Sequence, residues 1–251
     1  MASLYELMQL NKAAHHYKTS YIPYGYQLLH TSNQIGFSID GYYGVAAINY
    51  AAKEIIICNA GTKIDKDSVF NTALDFVSDV QIFNKRMPEQ FKHAFNFAKF
   101  CLKGVGEDYK IFLTGFSLGA VLADLVAYKL INSEFDIKSI TFENPGAAEI
   151  ISRKSNANLE NIKDHFEVYN AAVPNLVNIL GHKNQVGDTS LVCLDRKKFT
   201  DDMGKIGNIL LAGHAFDNFS EAAFDDNHNI LLCGENLVVE QIFDVLGALF
   251  K

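Results

Sequence analysis

The stretch at positions 111–125, IFLTGFSLGAVLADL, carries Gly115-Phe116-Ser117-Leu118-Gly119. The residues leading into it, YKIFLTG, are a short apolar run that reads as a buried strand. Those that follow, LGAVLADLVAYKL, are rich in Leu and Ala and read as a helix. Ser117 therefore stands where a strand turns into a helix. Glycines on both sides relieve crowding at such a turn, and the first amides of the helix, with its positive dipole end, point at the serine. Two readings fit: an activated nucleophile, or a Gly-Ser-Gly turn in an ordinary strand–helix unit. Chance matches to the five-residue pattern are common, but a match set between a buried strand and a helix is not. The context favours the nucleophile.

The flanking sequence repeats the same alternation. Upstream, ELMQLNKAAHHY has helical spacing, and GYQLLHTS, GFSIDGYYGVAAINYA and EIIICNAG read as extended segments, with turns at Gly36 and in DGYYG. Pro88 opens a helix in which Phe91, Ala94, Phe95 and Ala98 recur at helical spacing. Downstream, IKSITFENPG, HFEVYNAAVPN and TSLVCLD read as strands, and NLVVEQIFDVLGALF closes the chain as an amphipathic helix. Strands separated by helices predict a mostly parallel central sheet with helices on both faces, in one domain over 1–251. Sites in such sheets form beyond the carboxyl ends of the strands.

Composition narrows the function classes. The chain has 251 residues, 49% hydrophobic and 20% charged, with a net charge of −7 and no sustained basic run. That argues against a nucleic-acid groove. No apolar run is long enough to span a membrane, and no basic-then-apolar leader opens the chain. Cys58, Cys101, Cys193 and Cys233 are widely spaced and read as reduced core residues, with no metal site and no disulfide framework. The expected compartment is the cytoplasm; export as an effector by a route without such a leader is the other reading.

A serine hydroxyl needs a base, and the base needs an orienting group. Downstream histidines are His165, His182, His214 and His228. His165 opens a strand, His182 precedes one, and His228 lies near the end with no helix after it. His214, in LAGHAFDNFSEAAF, directly precedes a helix and is the preferred base, its alternative role being a histidine at a helix entry. The oxyanion donors would be the Leu118 N–H and Thr62, which follows the strand EIIIC and is otherwise a turn residue.

At these residues the chain resembles the class 3 lipases, relatives of the fungal triacylglycerol lipases with the α/β-hydrolase fold. LTGFSLGAVLADL is similar to that family's Gly-His-Ser-Leu-Gly-Gly-Ala-Leu-Ala, with Phe116 for His and Ala120 for Gly. ICNAGTK resembles its strand with an Arg-Gly-Ser/Thr oxyanion motif, SITFENPGAAE its Thr-Phe-Gly-x-Pro strand end, and GHAFDNF its histidine segment. NTALDFVSDVQIF resembles the segment where the family carries a lid. The resemblance runs roughly from residue 45 to 220, and its serine segment is the most specific part.

One departure stands out. The family's acid segment reads Asn-Asp-x-Val-Pro, and VYNAAVPN has Ala171 where the Asp belongs. A shifted pairing offers Asn175, whose amide oxygen could accept the imidazole N–H. Pro174-Asn175 is equally a turn signal. Asp188 and Asp217 are the other candidates to supply the charge.

The resemblance implies a serine ester hydrolase acting on a lipid or other acyl ester through an acyl-enzyme on Ser117, with His214 as base and no cofactor or metal. It names a lipid or acyl-ester substrate and, if VFNTALDFVSDVQIF is an apolar lid rather than a packed surface helix, peripheral membrane contact. The competing reading is a degenerate lipase-like module that binds a lipid or protein partner. Oligomeric state is not legible.

Overall fold

The computed structural model describes residues 1–37, 41–61, 87–155, 158–172, 184–195, 198 and 216–233. In chain order these form α1 (Leu4–His16), β1 (Gln27–Thr31), β2 (Gly44–Asn49), β3 (Glu54–Asn59) and α2 (Phe91–Cys101). Then come β4 (Lys110–Gly115), α3 (Leu118–Leu130), β5 (Asp136–Phe142), α4 (Ala148–Ser155), β6 (Phe166–Ala171), β7 (Asp188–Val192) and α5 (Phe216–Ala222). The expected lid segment and closing helix lie outside the described residues.

The seven strands lie in one sheet in sequential order, β1 to β7. β1, β2 and β3 pair antiparallel, and every pair from β3 to β7 is parallel. Right-handed crossovers between successive neighbours put the connecting helices among the described residues, α2, α3 and α4, on one face. The packing agrees. On one side Ile55, Ile57, Ile111, Leu113 and Ile137 meet Phe97 of α2, Val121 and Leu125 of α3, and Ile150 and Ile151 of α4. On the other, Ile56, Cys58, Phe112, Ile140 and Phe142 meet Leu7 and Leu10 of α1 and Phe216 and Phe219 of α5. The central strands are apolar at consecutive positions because both faces are covered; β3 is buried along its whole length.

α1 begins with a capping box, Ser3 and Glu6 exchanging hydrogen bonds between side chain and backbone. Its buried Asn11 donates to Thr114 Oγ1 at 3.0 Å and sits 3.3 Å from the Cys58 thiol, tying the helix to β3 and β4.

The cysteine expectation is corrected. Cys193 and Cys233 form a disulfide, whereas Cys58 and Cys101 are free and buried as expected. The pairing follows from a return of the chain alongside β7. Val192 and Leu232 form an antiparallel bridge, Cys193 N–H donates to Leu231 O, and Cys233 N–H donates to Leu191 O. The two Cα atoms thereby come within 5.1 Å although 40 positions separate them. A spacing that long carries no local signal.

Candidate active site

The carboxyl ends of β3, β4 and β5 meet at one edge of the sheet. Asn59 lies opposite Gly115 across the β3–β4 ladder, and Phe116 bridges to Phe142 at the end of β5. The chain then turns abruptly at Ser117, with φ 57° and ψ −124°, and enters α3. A non-glycine residue held there stores about 1–3 kcal/mol of strain, so the surroundings must over-determine it. They do. Ser117 N–H donates to Phe142 O at 3.2 Å, Gly119 N–H to Phe116 O at 2.9 Å, and Ala120 N–H to Ser117 O at 2.9 Å.

The flanking glycines serve approach rather than torsional freedom, since neither has a positive φ. A Cβ on Gly115 would lie 2.1 Å from the backbone of Gly119, and one on Gly119 would lie 2.1 Å from Asn59 O. Gly61 abuts the same turn: its Cβ would fall 2.4 Å from Phe116 O and 3.5 Å from Ser117 Cβ. The chain entering Thr62 thus touches the elbow. Leu118, the first residue of α3, presents an amide with no acceptor one turn earlier in its helix.

A polar web backs the elbow. Asp124, fully buried on α3, accepts from Ser139 Oγ and Asn144 Nδ2, each at 2.7 Å. Burial pushes its carboxyl up to about 7 against the pull of those two donors. Asn144 Oδ1 accepts the Gly146 N–H at 2.7 Å, its own N–H donates to Asn170 Oδ1 at 2.8 Å, and its carbonyl accepts from Gln185 Nε2 at 2.7 Å. The web fixes the loop after β5 against the ends of α3 and β6.

Between Phe142 and Asn144 stands a residue that sequence reasoning passed over. Glu143 is fully buried and has φ 47°. Its N–H donates to Tyr169 O at 3.0 Å, and its carboxylate accepts the N–H of Ala171. The signal was present: in Thr141-Phe142-Glu143-Asn144-Pro145 it occupies the glycine position of the motif the segment resembles.

Of the residues singled out in the sequence, Ser117 and Leu118 come together at this edge. Thr62, Asn175, His182 and His214 lie outside the described residues. Ala171, at the end of β6, is buried and brings no carboxylate. Asp188 is corrected: it is the first residue of β7, paired with Glu167, so it sits at the opposite edge of the sheet from Ser117. Asp217 Oδ1 lies 3.2 Å from His16 Nε2 and is half exposed. His165 is at the amino edge with Nδ1 2.9 Å from Ile137 O, and His228 stacks on Tyr5 at 3.9 Å. Among the described residues no group of His, Cys, Asp and Glu is arranged to hold a metal.

A mostly parallel sheet with a serine at a strained strand-to-helix turn on its carboxyl edge defines an α/β-hydrolase. The class 3 lipase family model matches residues 59–177, from the end of β3 past the end of β6. The chain is lipase class 3-like. A Rickettsia prowazekii (strain Madrid E) protein, described as uncharacterized protein RP165, is 32% identical over 184 residues, 67% of this chain and 47% of that protein. The chain thus spans about half the length of that relative. Solved structures with similarity include the Lip2 lipase of Yarrowia lipolytica, with 14% identity, TM-score 0.49, and coverage of 75% of this chain and 77% of that one. A lipase from Rhizopus microsporus var. chinensis has 15% identity and TM-score 0.49, covering 76% and 75%. A triacylglycerol lipase from Penicillium expansum has 14% identity and TM-score 0.47, covering 84% and 87%.

Proposed function

We propose that the protein is a serine ester hydrolase that cleaves a lipid or other acyl ester. The observation that carries the reading is Ser117 at φ 57° and ψ −124°, strained and buried between β4 and α3, in the segment matched by the class 3 lipase model. Ser117 Oγ attacks the acyl carbonyl. His214 takes its proton and later returns one to the leaving alkoxide. The N–H groups of Leu118 and Thr62 stabilise the oxyanion, and water then releases the acid. The contact of Gly61 with the elbow supports the Thr62 assignment, since it brings the preceding residue against Ser117. On sequence alone, the amide of Asn175 is the group that orients His214.

None of the described helices is long and apolar enough to cross a membrane. Of the two destinations left open by the sequence, the Cys193–Cys233 disulfide favours export over the reducing cytoplasm.

An alkyl fluorophosphonate tests the chemistry. Covalent labelling of the parent protein, lost in Ser117→Ala and reduced at least 100-fold in His214→Ala, is the expected result. A folded parent that takes no label, with detergent present, would leave the binding module as the surviving reading.

A further inference from the structure

A carboxylate stands on the helix-covered face of the sheet, where the packing is otherwise mostly apolar. Asp124 lies on α3 between Val121 and Leu125, and it meets Ser139 of β5 and Asn144 just beyond that strand. All three polar residues are fully buried. We infer that Asp124 is a positioning residue for the nucleophile: through Ser139 and Asn144 it pins α3 to β5 and so sets where the start of that helix holds Ser117. The inference rests on the reading of Ser117 as nucleophile and on no other group of the proposed reaction.

Three observations converge. The first is leverage. α3 is fastened to β5 at its start, where Ser117 N–H donates to Phe142 O at 3.2 Å. Asp124 comes two turns later on the same helix, roughly 10 Å along its axis. One attachment leaves a helix free to pivot, whereas two at that separation fix its tilt and its slide along the strand. The second is cost. Burying a carboxylate is expensive, and among the described residues no cation pairs with Asp124. Ser139 and Thr141, buried as well, share the helix-facing side of β5, while Ile140 and Phe142 point to the other. Apolar residues of similar size would fill such a seam at equal or better stability, so stability alone does not account for it. The third is closure. Asn144 Nδ2 donates to Asp124 at 2.7 Å and to Thr141 Oγ1 at 2.9 Å, and its Oδ1 accepts the Gly146 N–H at 2.7 Å. The donor opposite Asp124 is thus itself held in place.

Directional bonds do here what the surrounding contacts cannot. Leu, Val and Ala side chains keep most of their contact when a helix slides by a fraction of an ångström. A 2.7 Å hydrogen bond stretched by about 1 Å is lost. The strand end is fixed in its turn, because Asn144 N–H donates to Asn170 Oδ1 of β6 at 2.8 Å. Ser117 therefore sits between a strand end and a helix that are each held by partners outside the elbow, as its strained φ of 57° requires.

Asp124→Asn keeps an acceptor for Asn144 and turns an N–H toward Ser139 Oγ, whereas Asp124→Leu/Ser139→Ala fills the seam with carbon. Hydrolysis of p-nitrophenyl butyrate, the second-order rate of fluorophosphonate labelling and a melting curve are measured in detergent for the parent and both variants. In D124N, kcat and labelling should stay within about threefold of the parent. In D124L/S139A both should fall roughly 10²-fold, with KM unchanged and melting within a few degrees of the parent. A folded D124L/S139A that hydrolyses and labels at the parental rate overturns the inference while leaving Ser117 as nucleophile. So does a loss that appears in KM alone, or one matched by the loss of folded protein. An equal fall in D124N overturns it too, because the hydrogen bonds would then not be what holds the helix. A parent that neither labels nor hydrolyses overturns the Ser117 reading and this inference with it. If D124L/S139A does not fold, Asn144→Asp, which sets two carboxylates face to face, is compared with Asp124→Asn/Asn144→Asp, which restores a donor opposite an acceptor. Labelling lost in the first and regained in the second is expected, and equal labelling in both overturns the inference.

Discussion

Gly119→Ala is the sharpest probe of the elbow. The added methyl would lie 2.1 Å from Asn59 O and 2.9 Å from the Ala60 carbonyl carbon, roughly 1.3 Å inside the 3.4 Å at which ordinary contact begins. Its neighbours are backbone and cannot swing aside, so either the start of α3 or the end of β3 must move by about that amount. Overpacking of this kind costs about 1–3 kcal/mol or more. For a chain of this length that is a fall of roughly 2–12 °C in melting temperature. The same displacement separates Ser117 from the residues after β3 that would bind the oxyanion. A misplacement of about 1 Å at reacting groups costs on the order of 10² in rate. The assay is the second-order rate of fluorophosphonate labelling beside a melting curve. Gly41→Ala is the control: its Cβ meets nothing within 4 Å, and its φ of 74° brings backbone strain alone. The control should lose about 1 kcal/mol and no labelling rate. A Gly119→Ala protein that labels at the parental rate would refute the claim that contact between β3 and α3 sets the nucleophile's position.

Two further outcomes follow from groups outside the elbow. Closing a loop whose ends are 40 positions apart, the Cys193–Cys233 disulfide should stabilise the protein by about 3–4 kcal/mol, read as the difference in denaturant unfolding between the parent and Cys193→Ser/Cys233→Ser. The unreduced denatured parent should titrate only Cys58 and Cys101 with a thiol reagent. Asp124 makes stability depend on pH. Its folded value, about 7, is raised by burial above the ordinary aspartate value of 3.8. The folded state therefore holds the proton longer than the unfolded chain. Its contribution is present in full below about pH 4 and is lost as pH rises to about 7, a few kcal/mol at most. Asp124→Asn, which mimics the protonated form, should flatten that decline; a slope unchanged in the variant would show that Asp124 is ionised throughout.

Much of the fold was legible because each signal was local. The apolar runs at EIIIC and KIFLTG are strands buried on both faces, and the Leu- and Ala-rich run after Ser117 is a helix. α4, at Ala148–Ser155, went unread because eight residues after a Pro-Gly turn give barely two turns of periodicity. The disulfide was misread for the opposite reason: its halves are 40 positions apart and meet only because the chain returns along β7.

Glu143 was missed because the search for an acid ran along one strand. Motif matching asks which residue stands at a given position on β6, and the answer there is Ala171. A parallel sheet sets a different constraint, because neighbouring strand ends lie about 4.8 Å apart, within the length of a glutamate side chain. The ladder puts Phe142 beside Tyr169, so Glu143, one residue beyond that pair, rises next to Asn170 and Ala171. What the motif records as two separate departures, Ala171 in place of aspartate at the end of β6 and Glu143 in place of glycine at the end of β5, are neighbours in three dimensions. The hydrogen bond from the Ala171 N–H to the Glu143 carboxylate joins them, and neither strand read alone carries that pairing.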